Sequence, residues 1–241
     1  MLSKNQSKLI TSLKQKKYRI QYQLFIAEGV KVVNELLSSS YELEKLFCIE
    51  DCYSLYKTFN PEIISEKELP KISNLSTPNK VFGLFKIPVP FKIKEEGLIL
   101  VLDDINDPGN LGTIIRLSDW FGVSHIVCSN KTVDCYNPKV VQATMGSLVR
   151  VPITYTDIGE FLMGTELPIY GAVMNGDTVY STKLKQNAIL IMGNESNGIS
   201  EKIELLINTK ITVPRYSKTT ITESLNVATA TAILLNEFRR N

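Results

Sequence analysis

Three short stretches hold residue types that chemistry uses, each where an apolar run gives way to polar residues. The first is LDDINDPGNLGTIIRLSDWFG (102–122), in which a Pro-Gly pair, Asn110 and Gly112 precede a helical pattern that carries Arg116. Glycines at a strand-to-helix turn let backbone approach a ligand, and a helix N-terminus favours anionic groups. Arg116 would stand about one turn into that helix, facing back toward the turn. The stretch is not a GxGxxG fingerprint, so it does not specify a dinucleotide. An ordinary βα turn with a surface arginine would use the same residues.

The second stretch is AILIMGNESNGIS (188–200). An apolar strand ending in Ile191 and Met192 stops at Gly193, and Asn194, Glu195, Asn197 and Gly198 crowd one turn. Ligands of open α/β sheets bind at strand ends, where such residues can hold an adenosine or fix a neighbouring arginine. Asparagine and glycine are also plain turn formers; glutamate is not. The third stretch is ITVPRYSKTTITESLNVATATAILLNEF (211–238). A strand ends at Val213-Pro214, a polar loop leads to Glu223-Ser224, and Leu225-Asn226 opens a helix of small residues. Ser224 as an N-cap would account for the helix, but not for a hydroxyl and an amide on either side of Leu225.

The elements that must position these stretches are short and alternate in type. LILVLD (98–103) is a continuous apolar run, as for a strand covered on both faces. TIIRLSDWFG (113–122) has helical spacing and ends at Gly122, a fitting C′ residue. HIVCS (125–129) reads as a strand, and NPKVVQATMGSL (137–148) as a helix with Asn-Pro at its N-cap and first position. Strands near 168–174, 189–193 and 210–213 follow, and 223–240 closes the chain as a helix. This alternation predicts an α/β fold with a largely parallel sheet and helices on both sides. A charged, proline-containing segment, KIPVPFKIKEEG (86–97), divides the chain into domains at 1–90 and 91–241. Ahead of it, residues 3–17 read as a basic helix, 30–37 as a helix and 43–51 as a strand, giving a small α/β unit.

Composition narrows the partners. The 241 residues carry a net charge of only +2, but residues 1–31 hold Lys4, Lys8, Lys14, Lys16, Lys17, Arg19 and Lys31 against Glu28 alone. That arm suits phosphate contacts, and equally a solvated helix face. No apolar segment near the start resembles a signal peptide, and no run of about 18 apolar residues suggests a membrane span. Cys48, Cys52, Cys128 and Cys135 with a single histidine, His125, do not make a zinc set. They read as reduced thiols of a cytoplasmic protein, with no metal expected.

Taken together and in this order, DPGNLGTIIR, IMGNESNG and VPR…ESLNVATA resemble the three signature motifs of the SpoU (TrmH) family of RNA ribose 2′-O-methyltransferases, within the SPOUT superfamily. KLITSLKQKKYR…QLFIAEGVKVVNELL resembles the substrate-binding domain that precedes the catalytic domain in many members, similar to the L30e fold. That domain is most similar to those of ribosomal RNA-modifying members, the mitochondrial rRNA methyltransferase branch included. The resemblance implies an α/β domain whose chain ends in a trefoil knot, a homodimer, and S-adenosylmethionine as methyl donor. It implies that Ile191, Met192, Gly193, Val213, Pro214, Leu225 and Asn226 line the cofactor pocket. Asn110, Arg116, Glu195, Ser224 and Asn226 match the family's catalytic and polar site residues. Arg116 would reach the partner's cofactor, either to handle the hydroxyl proton or, since arginine normally keeps its charge, to orient RNA. RNA contacts are implied for Lys14, Lys16, Lys17, Arg19, Glu28 and Gly29. The substrate implied is ribosomal RNA, of the large subunit. Transfer RNA, a non-catalytic assembly role, and a small-molecule α/β enzyme are the competing readings. One departure stands out: RYSKTTITE (215–223) lacks a glycine that many members have after the third-motif proline, and is longer.

Overall fold

The computed structural model describes residues 2–75, 77–217 and 224–240. The first elements are α1 (Lys4–Ser12), α2 (Lys16–Tyr22), β1 (Leu24–Glu28), α3 (Val30–Leu37), β2 (Leu43–Cys48), α4 (Tyr53–Tyr56), β3 (Glu62–Ile63), α5 (Leu69–Ile72) and β4 (Val81–Lys86). They are followed by β5 (Leu98–Leu102), α6 (Pro108–Trp120), β6 (His125–Ser129), α7 (Pro138–Thr144), β7 (Ile153–Thr156) and α8 (Ile158–Met163). The last are β8 (Ile169–Thr178), β9 (Ala188–Met192), α9 (Glu201–Glu204), β10 (Thr209–Thr212) and α10 (Val227–Arg240). Two compact units result: Met1–Val89 with Asp134–Val149, and Pro90–Val133 with Arg150–Asn241.

The first unit is built on a four-stranded sheet in the order β1-β4-β2-β3, antiparallel except for β2 with β3. All five residues of β1 are buried. Helix α7, read from the sequence as part of the downstream domain, packs with this unit: the Tyr136 ring that precedes it lies 4.8 Å from Phe25.

The second unit carries a six-stranded sheet, β10-β8-β9-β5-β6-β7, parallel throughout. Central β5 and β9 are buried along their whole length, which is why they read as unbroken apolar runs. Ile99, Val101, Ile189 and Ile191 on one face pack with Ile158 and Leu162 of α8 and Ile203 of α9. Helix α6 begins at Pro108, five residues before TIIR, with the Asp107 side chain capping it through the Asn110 amide. The Pro-Gly pair is therefore the first turn of a helix and not a loop. Its other end matches the sequence: Gly122 has φ +62, and Val123 N donates to Ser118 O at 2.8 Å, closing a Schellman cap. No helix among the described residues is long and apolar enough to cross a membrane.

Candidate active site

Because β5, β9 and β10 run parallel, the three motif stretches leave the same edge of the sheet. After β5, Asp103 N donates to Met192 O at 2.9 Å and Asp103 Oδ2 accepts from Ser200 N at 2.8 Å, tying the first stretch to both sides of the second. Asp104 adopts φ +65, and its carbonyl accepts from Asn194 Nδ2 at 2.7 Å.

The second stretch folds back on itself. Asn194 N donates to Gly198 O (2.8 Å), Gly198 N returns to Asn194 O (2.9 Å), and Asn194 Oδ1 takes the amides of Ser196 and Asn197 at 2.9 and 3.0 Å. A Cβ on residue 193 would lie 2.2 Å from the carbonyl carbon of Gly198, so only glycine permits the crossing. The turn sets Glu195 facing α6, where Oε1 accepts from Asn110 Nδ2 at 3.0 Å. The amides of Asn106 and Asp107 point at the same carboxylate from 3.5 and 3.4 Å.

The third stretch completes the chain of bonds. Asn226 Nδ2 donates to Asn110 Oδ1 at 2.9 Å. Asn226 Oδ1 accepts from Ala228 N and Thr229 N at 3.0 and 3.3 Å. Asn226 is thus the N-cap of α10, a role the sequence offered to Ser224; the helix opens at Val227, and Ser224 and Leu225 stand outside it. With the Asn226 oxygen committed to helix amides, its NH₂ must donate, so Asn110 receives on oxygen and donates to Glu195. The end of the relay has to be an acceptor, which an ionised carboxylate supplies.

Asn110, Glu195 and Asn226 are therefore brought into one hydrogen-bonded set. Arg116 is not: it is exposed and has no hydrogen bond or ion pair among the described residues. Ser224 is exposed, and Leu225 keeps 47% of its surface. Ile191 and Met192 are interior side chains, and only their backbone can meet a ligand; Val213, Pro214 and Gly193 are half-buried. Residues 218–223 of the loop that departs from the family pattern lie outside the described residues. Sequence reasoning passed over Asp103 and Asp107, and noted Asn194 without giving it a task. An acid directly after an apolar strand, and an Asp-Pro pair ahead of a helix, were the available signals. His125 is buried beside Thr154 Oγ1 (2.9 Å), and burial pushes its pKa down to about 4, so it is a neutral core residue.

In the first unit two of the RNA-contact candidates are buried and bonded within the chain. Arg19 is 2% exposed and spends its guanidinium on Asp134 (2.5 Å), Leu13 O and Lys14 O. Glu28 is buried and accepts from Ser73 Oγ, Asn74 N and Asn79 N at 2.5, 3.1 and 3.1 Å, pinning the loop ahead of β4. Neither presents its charge to solvent. Gly29, at φ +96, makes the turn from β1 into α3. Lys14 donates to Ser73 O at 3.0 Å from an exposed position; Lys16 and Lys17 are exposed. Among the described residues no cluster of three or more His, Cys, Asp or Glu could hold a metal ion.

Comparison with known proteins agrees with this geometry. A profile of the SpoU rRNA methylase family matches residues 97–236, and one of the MRM3-like substrate-binding domain matches residues 4–83. A solved TrmH-family structure from Porphyromonas gingivalis superposes with TM-score 0.91 at 38% identity, covering 100% of this chain and 99% of that one. The rRNA methyltransferase of Sinorhizobium meliloti, solved with bound AdoMet, superposes with TM-score 0.86 at 29% identity over 100% of this chain and 96% of that one. The 23S rRNA (guanosine(2553)-2′-O)-methyltransferase RlmP of Bacillus subtilis is 28% identical, over 93% of this chain and 92% of its own. The family profile matches more than half of the chain, over the residues that carry all three motif stretches, and the chain is therefore a member of the SpoU rRNA methylase family.

Proposed function

We propose that the protein transfers a methyl group from S-adenosylmethionine to a ribose 2′-hydroxyl of ribosomal RNA, in the large subunit, as a homodimer. The observation that carries this reading is the Glu195–Asn110–Asn226 relay, which draws all three motif stretches to one point on the sheet edge. The residues there suit the cofactor. The exposed Leu225 beside the Asn226 amide offers apolar surface for an adenine, and Glu195 and Asp107 offer negative charge to a sulfonium. Val213, Pro214 and the backbone of Ile191, Met192 and Gly193 would supply the remaining walls.

S-adenosylmethionine brings a methyl group that its sulfonium has already activated for transfer. The protein must hold the ribose oxygen in line, and such alignment is worth roughly 7–11 kcal/mol of barrier. The relay fixes Glu195 with Oε1 occupied by Asn110, while Oε2 has only 3.5 Å contacts to Asn106 N and Asn194 Nδ2. That oxygen keeps the capacity to accept a bond from a sugar hydroxyl. Arg116 orients RNA phosphate and ribose in the partner's site. In support, Arg116 and the 84%-exposed Trp120 lie one turn apart on α6, a cationic and apolar face suited to a second copy. Residues 1–90 act as the RNA-binding domain and 91–241 as the knotted catalytic domain. The four buried free cysteines fit a reducing compartment, the cytoplasm.

The test is methyl transfer from labelled S-adenosylmethionine to rRNA, with a transcript carrying 2′-deoxyribose at the mapped target as control, beside calorimetry of cofactor binding. Incorporation that requires the 2′-hydroxyl is the expected result. Failure to bind the cofactor would overturn the enzyme reading.

A further inference from the structure

Helix α2 shows a surface that packing within its own unit does not explain. Its inward side is fixed by Arg19, buried against Asp134 and the carbonyls of Leu13 and Lys14. Its outward side carries exposed Lys16, Lys17, Ile20 (57%) and Tyr22 (45%). Tyr18 and Tyr22 are stacked, with ring centroids 6.3 Å apart and planes 17° from parallel, and Lys17 Nζ lies 4.8 Å from the Tyr18 centroid. Up to Lys31 the only acid is Glu28, which is buried and bonded, while Lys4, Lys8, Lys14, Lys16, Lys17 and Lys31 are all exposed.

A short helix with no side-chain N-cap and a left-handed Gln23 at its end gains little from displaying aromatic and aliphatic surface to water. Stacked aromatics flanked by lysines are what unpaired nucleic acid uses: bases stack on the rings without regard to sequence, and phosphates meet the ammonium groups. A duplex hides its base faces and would leave the tyrosines idle. A second copy of this chain would bring its own lysines against these.

Building on the RNA-methylating reading, we propose that α2 is a stacking platform for unpaired RNA nucleotides, one base lying on the Tyr18–Tyr22 pair and the neighbouring phosphates on Lys16 and Lys17. The enzyme would then recognise unpaired nucleotides, as in a loop or bulge, rather than a continuous helix.

The experiment measures binding of a fluorescein-labelled, unstructured RNA decamer and of a blunt RNA duplex to the full-length protein, by anisotropy, with thermal melts as the fold control. The expected result is preference for the decamer, a loss of about 5- to 100-fold with Tyr22→Ala, and near-full retention with Tyr22→Phe. Lys17→Gln should flatten the log–log salt dependence by about 0.7. Preference for the duplex, no binding of either RNA, or equal decamer affinity in Tyr22→Ala and the parent would overturn the platform. Methyl transfer separates the two readings: activity with an unchanged KM for rRNA in Tyr22→Ala sinks the platform alone. Decamer binding that needs Tyr22, in a protein that never transfers methyl, sinks the enzymatic reading alone.

Discussion

Asn226 bonds Asn110 with its NH₂ while its carbonyl oxygen caps helix α10, so a single side chain joins the start of the last helix to the first motif. Asp in its place separates the two tasks. Aspartate caps as well as asparagine, so Asn226→Asp should melt within a few degrees of the parent. It cannot donate to Asn110, and it adds a second negative charge near Glu195. Turnover should fall by two orders of magnitude or more, about 3 kcal/mol at the transition state. Asn226→Ala should lose both the activity and about 1 kcal/mol of stability. Parallel melts and methyl-transfer rates check both; equal melting losses in Asp and Ala variants would remove the capping argument.

Much of this was readable beforehand, and the failures have physical causes. The buried strands β5 and β9 were legible because strands covered on both faces are unbroken apolar runs. β1 was not: its equally buried LFIAE runs straight into Gly29 and α3, and periodicity alone does not tell a short buried strand from helix. β7, ITYT, is half-buried and polar, so it gave neither pattern. In the site, the motif residues were found but their geometry was not. Gly109 and Gly112 suggested a loop, whereas Asp107-Pro108 in fact begins a helix. Arg19 and Glu28 looked like surface charges because sequence does not reveal that Asp134, more than a hundred residues away, covers one of them.

That buried ion pair gives the second prediction. Asp134 is 14% exposed and Arg19 2%. Removing one partner leaves a charge stranded in low dielectric, at a cost of about 3–5 kcal/mol. Asp134→Ala should therefore destabilise the chain severely in urea unfolding. The exposed Arg150–Asp119 pair at 2.9 Å serves as contrast, and Asp119→Ala should cost under about 1 kcal/mol.

His125 predicts a pH dependence. Burial lowers its folded pKa to about 4 from an ordinary value near 6.5. Between those values the unfolded chain binds the proton and the folded chain does not, so protonation drains stability. The contribution is intact above about pH 6.5 and is lost progressively as pH falls toward 4, to a total of about 3 kcal/mol. Unfolding midpoints measured from pH 4 to 7 should slope less in His125→Gln than in the parent. Identical slopes would show that other groups set the acid limit.

Asp104 combines a left-handed backbone, φ +65, with a buried Oδ1 that has no hydrogen-bond partner. Its ion pair with the largely exposed Lys131 spans 3.9 Å and contributes little. Glycine accepts that conformation without strain, so Asp104→Gly should raise stability by about 1 kcal/mol. The opposite holds at Gly193, where an added Cβ meets backbone at 2.2 Å. Gly193→Ala should disrupt the turn that carries Glu195 and abolish methyl transfer. Melting curves and activity of the two variants, side by side, test whether this sheet edge is shaped by its own backbone as described.

The last prediction concerns Arg116, exposed and without a hydrogen-bond or ion-pair partner among the described residues. If it serves a neighbouring subunit's site, Arg116→Ala and Asn226→Asp act on different subunits of the same active site. Each variant alone should be inactive. Co-refolded in equal amounts, half the dimers are mixed, and each mixed dimer holds one site with both residues intact. Activity should then return to about a quarter of the parent's. If Arg116 acts within its own chain, each site of a mixed dimer lacks one of the two residues, and the mixture stays as inactive as its components. Cofactor binding by Arg116→Ala, measured by calorimetry, should remain close to the parent's in either case if the arginine meets the RNA and not the cofactor.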